Sequence, residues 1–172
     1  RFGEYDFVEY RTLDIERDVA EQAIDLHYFD IVVASNVIHA TTNIAGTLSN
    51  IQRLLTSKGL LLIVEATLVP RWVDLTFGLT EGWWRFEDHD LRPSYPLLSQ
   101  SQWITCLSEA GFADVRGLTD TMGPHQTGNS VLLARGTAID LALWPTRVEA
   151  GPWVVLGDSG GLAEAFVDAL GK

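Results

Sequence analysis

Two continuous apolar runs constrain the fold of this 172-residue chain more than any other feature. Residues 29–35 read FDIVVAS, a pattern rich in β-branched side chains that is typical of a parallel strand buried on both faces. Residues 60–64 have the same character, and an amphipathic helix is predicted between the two runs, over residues 41–55. A strand, a helix and a strand in this order predict an α/β fold with a parallel sheet.

Further patterns extend this fold on both sides. Residues 7–13 alternate apolar and polar side chains and predict a strand, followed by an acidic helix over residues 15–26. The helix over residues 41–55 is expected to end in a glycine turn at Lys58 and Gly59. Later in the chain we predict a helix over residues 101–110 and two strands, over residues 113–118 and 130–134, joined by a turn over residues 122–129 into an antiparallel hairpin at the sheet edge.

The character of the chain changes after Gly136. We predict a linker over residues 138–145, a new strand over residues 153–156, a glycine turn over residues 157–161 and a helix over residues 162–170. This second unit has no room to complete a domain of its own. The domain boundary is therefore placed near residue 137, which divides the chain into residues 1–136 and 137–172.

Charge and composition exclude several classes of partner. The formal net charge is -11, which argues against binding to nucleic acid or to an anionic membrane surface. No apolar run is long enough to span a membrane, and no signal peptide is visible. The single cysteine, Cys106, lies in an apolar helical pattern and is interpreted as a core residue. A reducing, cytoplasmic location is the simpler expectation.

Polar residues follow both buried runs, where ligands bind in open α/β sheets. Ser35 and Asn36 end the first run and His39 comes soon after, whereas Glu65 ends the second. Neighbouring parallel strands end side by side, so the carboxylate of Glu65 could reach the imidazole of His39. Such a pair can remove a proton from an acidic carbon. Taken singly, His39 could be a structural histidine and Glu65 a surface charge.

Two other stretches could contact ligands. Asp14 and Ile15 follow the first predicted strand, where a carboxylate can accept hydrogen bonds from an exocyclic amine, although an Asp at a strand end is more often a helix N-cap. Residues 82–99 form a long aromatic insertion, interpreted as a lid or substrate wall, with a hydrophobic cluster over the sheet as the alternative. No zinc site is proposed, because none of His27, His89 and His125 has a partner at metal-ligand spacing.

Several separated motifs resemble the class I methyltransferase fold. Residues 29–41 (FDIVVASNVIHAT) and 54–65 look like the motifs of its fourth and fifth strands. Together with GWWRF at residues 82–86 and YPLLS at residues 95–99, they are similar to the carbon-methyltransferase domains of modular, type I polyketide synthases. The resemblance covers about residues 1–136. The unit that begins at Trp153 resembles the start of a ketoreductase structural subdomain, which in that family binds no cofactor.

The resemblance implies a reaction and a set of site residues. In that family a His–Glu pair deprotonates the α-carbon of a β-ketoacyl thioester on an acyl carrier protein, and the enolate attacks the methyl group of S-adenosylmethionine. Neighbouring synthase domains are then further partners. The catalytic positions fall on His39 and Glu65. The cofactor positions fall on Asp14, Ile15, Ser35 and Asn36. The aromatic insertion offers Trp83, Trp84, Phe86 and Tyr95 as substrate contacts.

One departure from the family pattern leads to a specific expectation. The glycine-rich first motif of methyltransferases and the acidic residue that would hold the ribose are absent, so the chain looks like the later part of a domain with its first two strands missing. The strands predicted at residues 7–13 and 29–35 then lack their common neighbours, and sheet edges are left exposed. We expect weak or no binding of S-adenosylmethionine by these 172 residues alone. Isothermal titration checks this, and micromolar affinity would contradict it.

Two other functions remain open from the sequence. An O- or N-methyltransferase of the same fold would use His39 on a hydroxyl or an amine and would methylate small free substrates. A non-catalytic domain that packs its neighbours in a synthase would show no effect of His39→Ala on the product. The sequence specifies neither the polyketide nor the oligomeric state.

Overall fold

A computed structural model describes residues 7–69, 71–119 and 128–137, together with the backbone of residues 154–157. The helices are α1 (Ile44–Leu54), α2 (Arg71–Thr76) and α3 (Gln100–Glu109). The strands are β1 (Phe29–Ser35), β2 (Leu55–Ala66), β3 (Ala113–Thr119), β4 (Asn129–Arg135) and β5 (Val154–Gly157). They form one five-stranded sheet in the order β3-β4-β2-β1-β5. Among the described residues, no helix combines the length and apolarity that crossing a membrane requires.

The predicted crossover unit forms the centre of the fold. Strand β1 pairs in parallel with β2, from Ile31 opposite Leu60 to Ser35 opposite Val64. Helix α1 connects them and begins at Asn43, whose side chain accepts a hydrogen bond from the backbone N–H of Gly46. One face of α1 is buried against the sheet through Ile44, Leu48, Ile51 and Leu54. The prediction of β1 and α1 is confirmed.

Strand β2 begins earlier than its apolar run predicts. It starts at Leu55, immediately after α1, so Lys58 and Gly59 lie inside the strand and form no helix-ending turn. Leu55 is buried and pairs with Phe29, with an irregularity in the register before Ile31. A Cβ atom on Gly59 would lie 3.0 Å from the carbonyl oxygen of Phe29. Glycine at this position therefore permits close approach of the two backbones and is not a helix cap.

The antiparallel hairpin is confirmed at the sheet edge. Strand β4 pairs antiparallel with β2 and with β3, so that Leu133 lies opposite both Leu62 and Arg116. Helix α3 begins in a capping box at Ser99 and buries Trp103. Cys106 on the same helix is buried, as predicted, and burial raises the pKa of its thiol to about 11. Most of the turn predicted over residues 122–129 lies outside the described residues.

The predictions for residues 7–26 are wrong. Residues 7–13 form no strand, because no described strand pairs with them, and an alternating pattern needs a neighbouring ladder to become a strand. The predicted acidic helix is reduced to a 3-10 turn at Val19–Glu21. Ala23 and His27 adopt φ angles of 55° and 52°, which a right-handed helix does not allow.

The free edge of β1 is covered by a segment from later in the chain. Strand β5 pairs in parallel with β1, with Gly157 opposite Ser35. The strand predicted at residues 153–156 therefore belongs to the same sheet, and the exposed edge predicted beside β1 is occupied. The predicted linker, glycine turn and last helix lie outside the described residues. The domain boundary near residue 137 stays a prediction.

Candidate active site

The site is built where β1 and β2 end side by side. Beyond Ser35, Asn36 adopts a φ of 48°, a left-handed conformation that Asn tolerates better than most residues. Its backbone N–H donates to the carbonyl of Val64 at 2.7 Å, and its side-chain oxygen accepts from the N–H of Ala66 at 3.1 Å. These bonds tie the end of β1 to β2. The next residues turn back over the end of β2 and bring His39 to Glu65.

The carboxylate of Glu65 is fully buried and satisfied by donors from one short segment. Its Oε1 accepts from the backbone N–H groups of Val37, Ile38 and His39, at 3.2, 2.9 and 3.3 Å. Its Oε2 lies 2.6 Å from Nδ1 of His39, whose side chain is 12% exposed. The hydrogen-bonding distance predicted between the two side chains is confirmed. One buried acidic side chain thus holds both the backbone and the ring of His39.

This arrangement selects one tautomer of His39. An ionised Glu65 can only accept hydrogen bonds, so Nδ1 of His39 must donate. In the neutral ring, Nε2 then carries the lone pair and is the nitrogen able to take a proton. A proton gained at Nε2 would leave a cationic ring directly beside a buried carboxylate, which stabilises that charge. The pair has the geometry of a general base and its orienting carboxylate.

Aromatic side chains form a wall beside His39. Trp83 contacts the His39 ring edge-on, with the ring centres 5.5 Å apart, and stacks on Phe77 at 5.6 Å. Tyr95 contacts Trp83 at 6.2 Å and Trp84 at 6.0 Å. We call Phe77, Trp83, Trp84 and Tyr95 the aromatic wall. Of the predicted substrate residues, Trp83, Trp84 and Tyr95 belong to this wall. Phe86 does not: it contacts His89, and the guanidinium of Arg92 lies over its ring.

The hydroxyl of Tyr95 anchors the wall to helix α2. It donates to Oδ1 of Asp74 at 2.7 Å. Burial, followed by the hydrogen bond and the charge of Asp74, raises the pKa of the Tyr95 phenol to about 12. Because the folded pKa lies above the ordinary value of about 10, this contact stabilises the fold fully below pH ~10 and loses that effect as pH rises through about 12.

Asp74→Asn is expected to lower the pKa of Tyr95 without restoring its ordinary value. The variant removes the negative charge, but burial, the largest single cause of the shift, remains. An alkaline titration followed by ultraviolet difference absorbance measures the change, and Tyr95→Phe identifies the signal among the four tyrosines. An unchanged midpoint for Tyr95 in Asp74→Asn would contradict the role of this carboxylate.

The sequence analysis did not identify Arg92, whose side chain binds the backbone of residues 39–42. Its side chain is fully buried, and its guanidinium donates to the carbonyls of His39, Thr41 and Thr42 at 2.8, 2.8 and 3.1 Å. Its Nε donates to Asp88, four residues earlier in the chain. The spacing of Asp88 and Arg92 was a visible signal of an ion pair, but nothing in the local sequence shows that it is buried.

The predicted cofactor residues differ in their surroundings. The Ser35 hydroxyl is buried and, among the described residues, has no hydrogen-bond partner. Asn36 lies next to it at the sheet edge. Asp14 is exposed, with Oδ1 accepting from the N–H of Glu16 at 3.1 Å. Ile15 is half-buried and packs against the core.

Glu16, which the sequence did not single out, connects the segment at Asp14 to the site. Its Oε1 accepts from the N–H and from the hydroxyl of Thr42, both at 2.6 Å. These two hydrogen bonds lower the pKa of Glu16. The segment around Asp14 and the loop that follows His39 are therefore held together. In the described part of the chain, no group of three or more His, Cys, Asp or Glu side chains could hold a metal ion.

The sheet and the polar residues at the ends of β1 and β2 define the class of protein. A parallel sheet with an antiparallel hairpin at one edge, and a site at the carboxyl ends of its central strands, is typical of class I methyltransferases. Residues 3–63 match the family described as "Methyltransferase domain". Over those residues, about a third of the chain, the sequence is similar to that methyltransferase family.

Three similar proteins refine this assignment. The carbon methyltransferase CurJ is 45% identical in sequence, with a TM-score of 0.74, over 80% of this chain and 37% of that one. The trans-methyltransferase CalH, solved in complex with SAH, is 38% identical with a TM-score of 0.71, over 79% of this chain and 38% of that one. The non-reducing polyketide synthase mapC of Penicillium roqueforti is 36% identical over 167 residues. That match covers 94% of this chain and 6% of mapC.

These matches confirm the resemblance to methyltransferase domains of polyketide synthases. The chain is similar both to a synthase and to carbon methyltransferases, in agreement with the motifs around His39, Glu65 and the aromatic insertion. They also confirm an α/β sheet of the class I methyltransferase type. The chain spans only a small part of mapC and just over a third of the CurJ structure.

Proposed function

We propose that this chain contributes to carbon methylation in polyketide biosynthesis. The reaction transfers a methyl group from S-adenosylmethionine to the α-carbon of a β-ketoacyl thioester carried on an acyl carrier protein. Neighbouring synthase domains are the further partners. The observation that carries the proposal is the contact between His39 Nδ1 and the buried carboxylate of Glu65, 2.6 Å long, at the carboxyl ends of β1 and β2.

His39 is the proposed base. Its Nε2 takes the proton from the α-carbon, and the electron pair of the broken C–H bond moves into an enolate delocalised over the adjacent carbonyl. Glu65 stabilises the imidazolium that results and keeps Nδ1 protonated throughout. A carbon between two carbonyls is acidic enough for an imidazole to deprotonate, which explains why a β-ketoacyl substrate suits this pair.

S-adenosylmethionine fits the residues at the ends of the strands. When bound, it supplies an electrophilic methyl group on a sulfonium. Ser35 has a buried hydroxyl with no partner among the described residues, so it is able to bind a polar group there. Asn36 lies beside it, and Asp14 and Ile15 are the proposed contacts for the adenine. The SAH complex of the relative CalH supports this choice of cofactor.

The aromatic wall is the proposed substrate surface. Trp83 lies between His39 and Tyr95, so an acyl chain that brings its α-carbon to His39 would pass along apolar rings. Phe86 is the fourth proposed substrate residue, although in this structure it supports Arg92.

Two measurements on the full chain encoded by the gene test the proposal. The first supplies S-adenosylmethionine with a β-ketoacyl carrier thioester or with its analogue that has two methyl groups on the α-carbon. We expect methylation of the first and none of the second, because the second has no α-proton. A methyl group found on oxygen in the product of the first substrate, as an enol ether, would identify an O-methyltransferase instead. The second follows exchange of the α-proton in heavy water without cofactor, which should require His39.

A further inference from the structure

Arg92 contacts three backbone carbonyls of a single short segment. The carbonyls belong to His39, Thr41 and Thr42, which are the residues between the proposed base and the start of α1. The guanidinium is fully buried and is fixed by Asp88 on one side and by the face of Phe86, 5.1 Å from its centre, on the other. A rigid, planar set of donors held in this way fixes the positions of the carbonyls it binds.

Asp88 ties the same segment to helix α1. One of its oxygens accepts from Nε of Arg92, and the other accepts from the backbone N–H of Ile44 at 3.0 Å. The N–H of Glu87 adds a bond to the carbonyl of Thr42 at 2.8 Å. Residues 87–92 of the aromatic insertion therefore hold residues 39–44 through hydrogen bonds to their backbone.

We propose that Arg92, oriented by Asp88, is a positioning residue for His39. Glu65 holds His39 at its backbone N–H and its ring, whereas Arg92 holds its carbonyl. The backbone of His39 is thereby fixed on both sides, so that its Nε2 has one location. A buried ion pair is an inefficient way to stabilise a fold, because apolar residues of similar volume often do as well. Arg92 and Asp88 bind the segment that carries His39, so the role we infer for the ion pair is to fix the position of that residue. This inference rests on the proposed function.

Arg92→Lys tests the proposal in the full chain encoded by the gene. Lysine keeps the charge but cannot reach all three carbonyls and Asp88 together. We expect kcat for methyl transfer to fall by about 10²-fold, as for a misplacement of about 1 Å, with the KM for S-adenosylmethionine within about twofold of wild type. Arg135→Lys is the matched control, because Arg135 forms an ion pair with Asp114 that is exposed at the sheet edge.

A readout independent of methyl transfer separates this inference from the proposed function. In proton NMR, the Nδ1 proton shared between His39 and Glu65 across a distance of 2.6 Å is expected to give a signal far downfield. We expect Arg92→Lys to shift or broaden that signal and Arg135→Lys to leave it unchanged. Asp88→Asn, which keeps the size of the side chain and removes its charge, is the second variant if Arg92→Lys does not fold. The proposal would be overturned if the Nδ1 proton signal of Arg92→Lys were the same as in the wild type. It would also be overturned if the loss of kcat were fully explained by a smaller fraction of folded enzyme. If no substrate is methylated even by the wild type, the NMR result still decides the role of Arg92.

Discussion

His39→Asn is expected to reduce the rate of methyl transfer by about 10²- to 10⁴-fold, the usual contribution of a positioned general base. The side-chain amide of Asn can donate to Glu65 from roughly the position of Nδ1, so the buried carboxylate keeps its fourth donor. Nothing then occupies the position of Nε2. The variant should fold and bind S-adenosylmethionine like the wild type, because it loses only the atom that accepts the proton.

His27→Asn is the matched control for this experiment. His27 precedes β1 whereas His39 follows it, so the two histidines lie at opposite ends of the same strand. His27 has a φ of 52°, which Asn tolerates. In the described part of the chain, its ring is hydrogen-bonded only to the carbonyl of Leu55. We expect normal kcat for His27→Asn. A His39→Asn enzyme that retains more than about a tenth of the wild-type rate would rule out His39 as the base.

The parts of the fold that follow from the sequence are those in which burial is a local pattern. Strand β1 is apolar on both faces, and helix α1 repeats its apolar residues on one side. The local sequence therefore predicts which faces of these two elements are buried. Helix α3 is likewise predicted by the apolar helical pattern that contains Cys106. The edge hairpin follows because two short strands come in sequence without room for a crossover.

The parts that the sequence did not predict depend on contacts between distant segments. Residues 7–13 carry a strand pattern, but a strand forms only beside a partner, and no described strand pairs with them. Gly59 looks like a helix cap, yet it is required because the backbone of Phe29 approaches it within the sheet. Neither fact is encoded within a window of neighbouring residues.

The same distinction applies to the site. His39 and Glu65 could be proposed as a pair because both follow buried runs, and parallel strands bring their ends together. Arg92 acts on a segment about 50 residues earlier in the chain, and Glu16 on one 26 residues later. Their roles depend on where the aromatic insertion and the segment at Asp14 pack. The base and its carboxylate were therefore predictable, whereas the residues that hold their segment were not.

Glu65→Gln is expected to fold normally and to lose about 10⁴-fold in kcat through the wrong tautomer of His39. Three backbone N–H groups point at Oε1. They force the amide oxygen of Gln to face them, which turns its NH₂ group toward His39 Nδ1. Nδ1 must then accept a hydrogen bond, so the ring proton moves to Nε2 and the base loses its lone pair. In the Ser-His-Asp triad, the corresponding change from Asp to Asn costs a factor of this size with intact geometry.

The tautomer itself can be observed. In nitrogen-15 histidine spectra we expect Nδ1 of His39 to change from a protonated to an unprotonated shift in Glu65→Gln, while His27 stays unchanged. Glu109→Gln, at the exposed end of α3, is the control for the loss of one negative charge. A Glu65→Gln enzyme with the altered tautomer but with a rate within about tenfold of wild type would mean that the lone pair on Nε2 is not the proton acceptor, and that Glu65 serves only to hold the turn at residues 37–39.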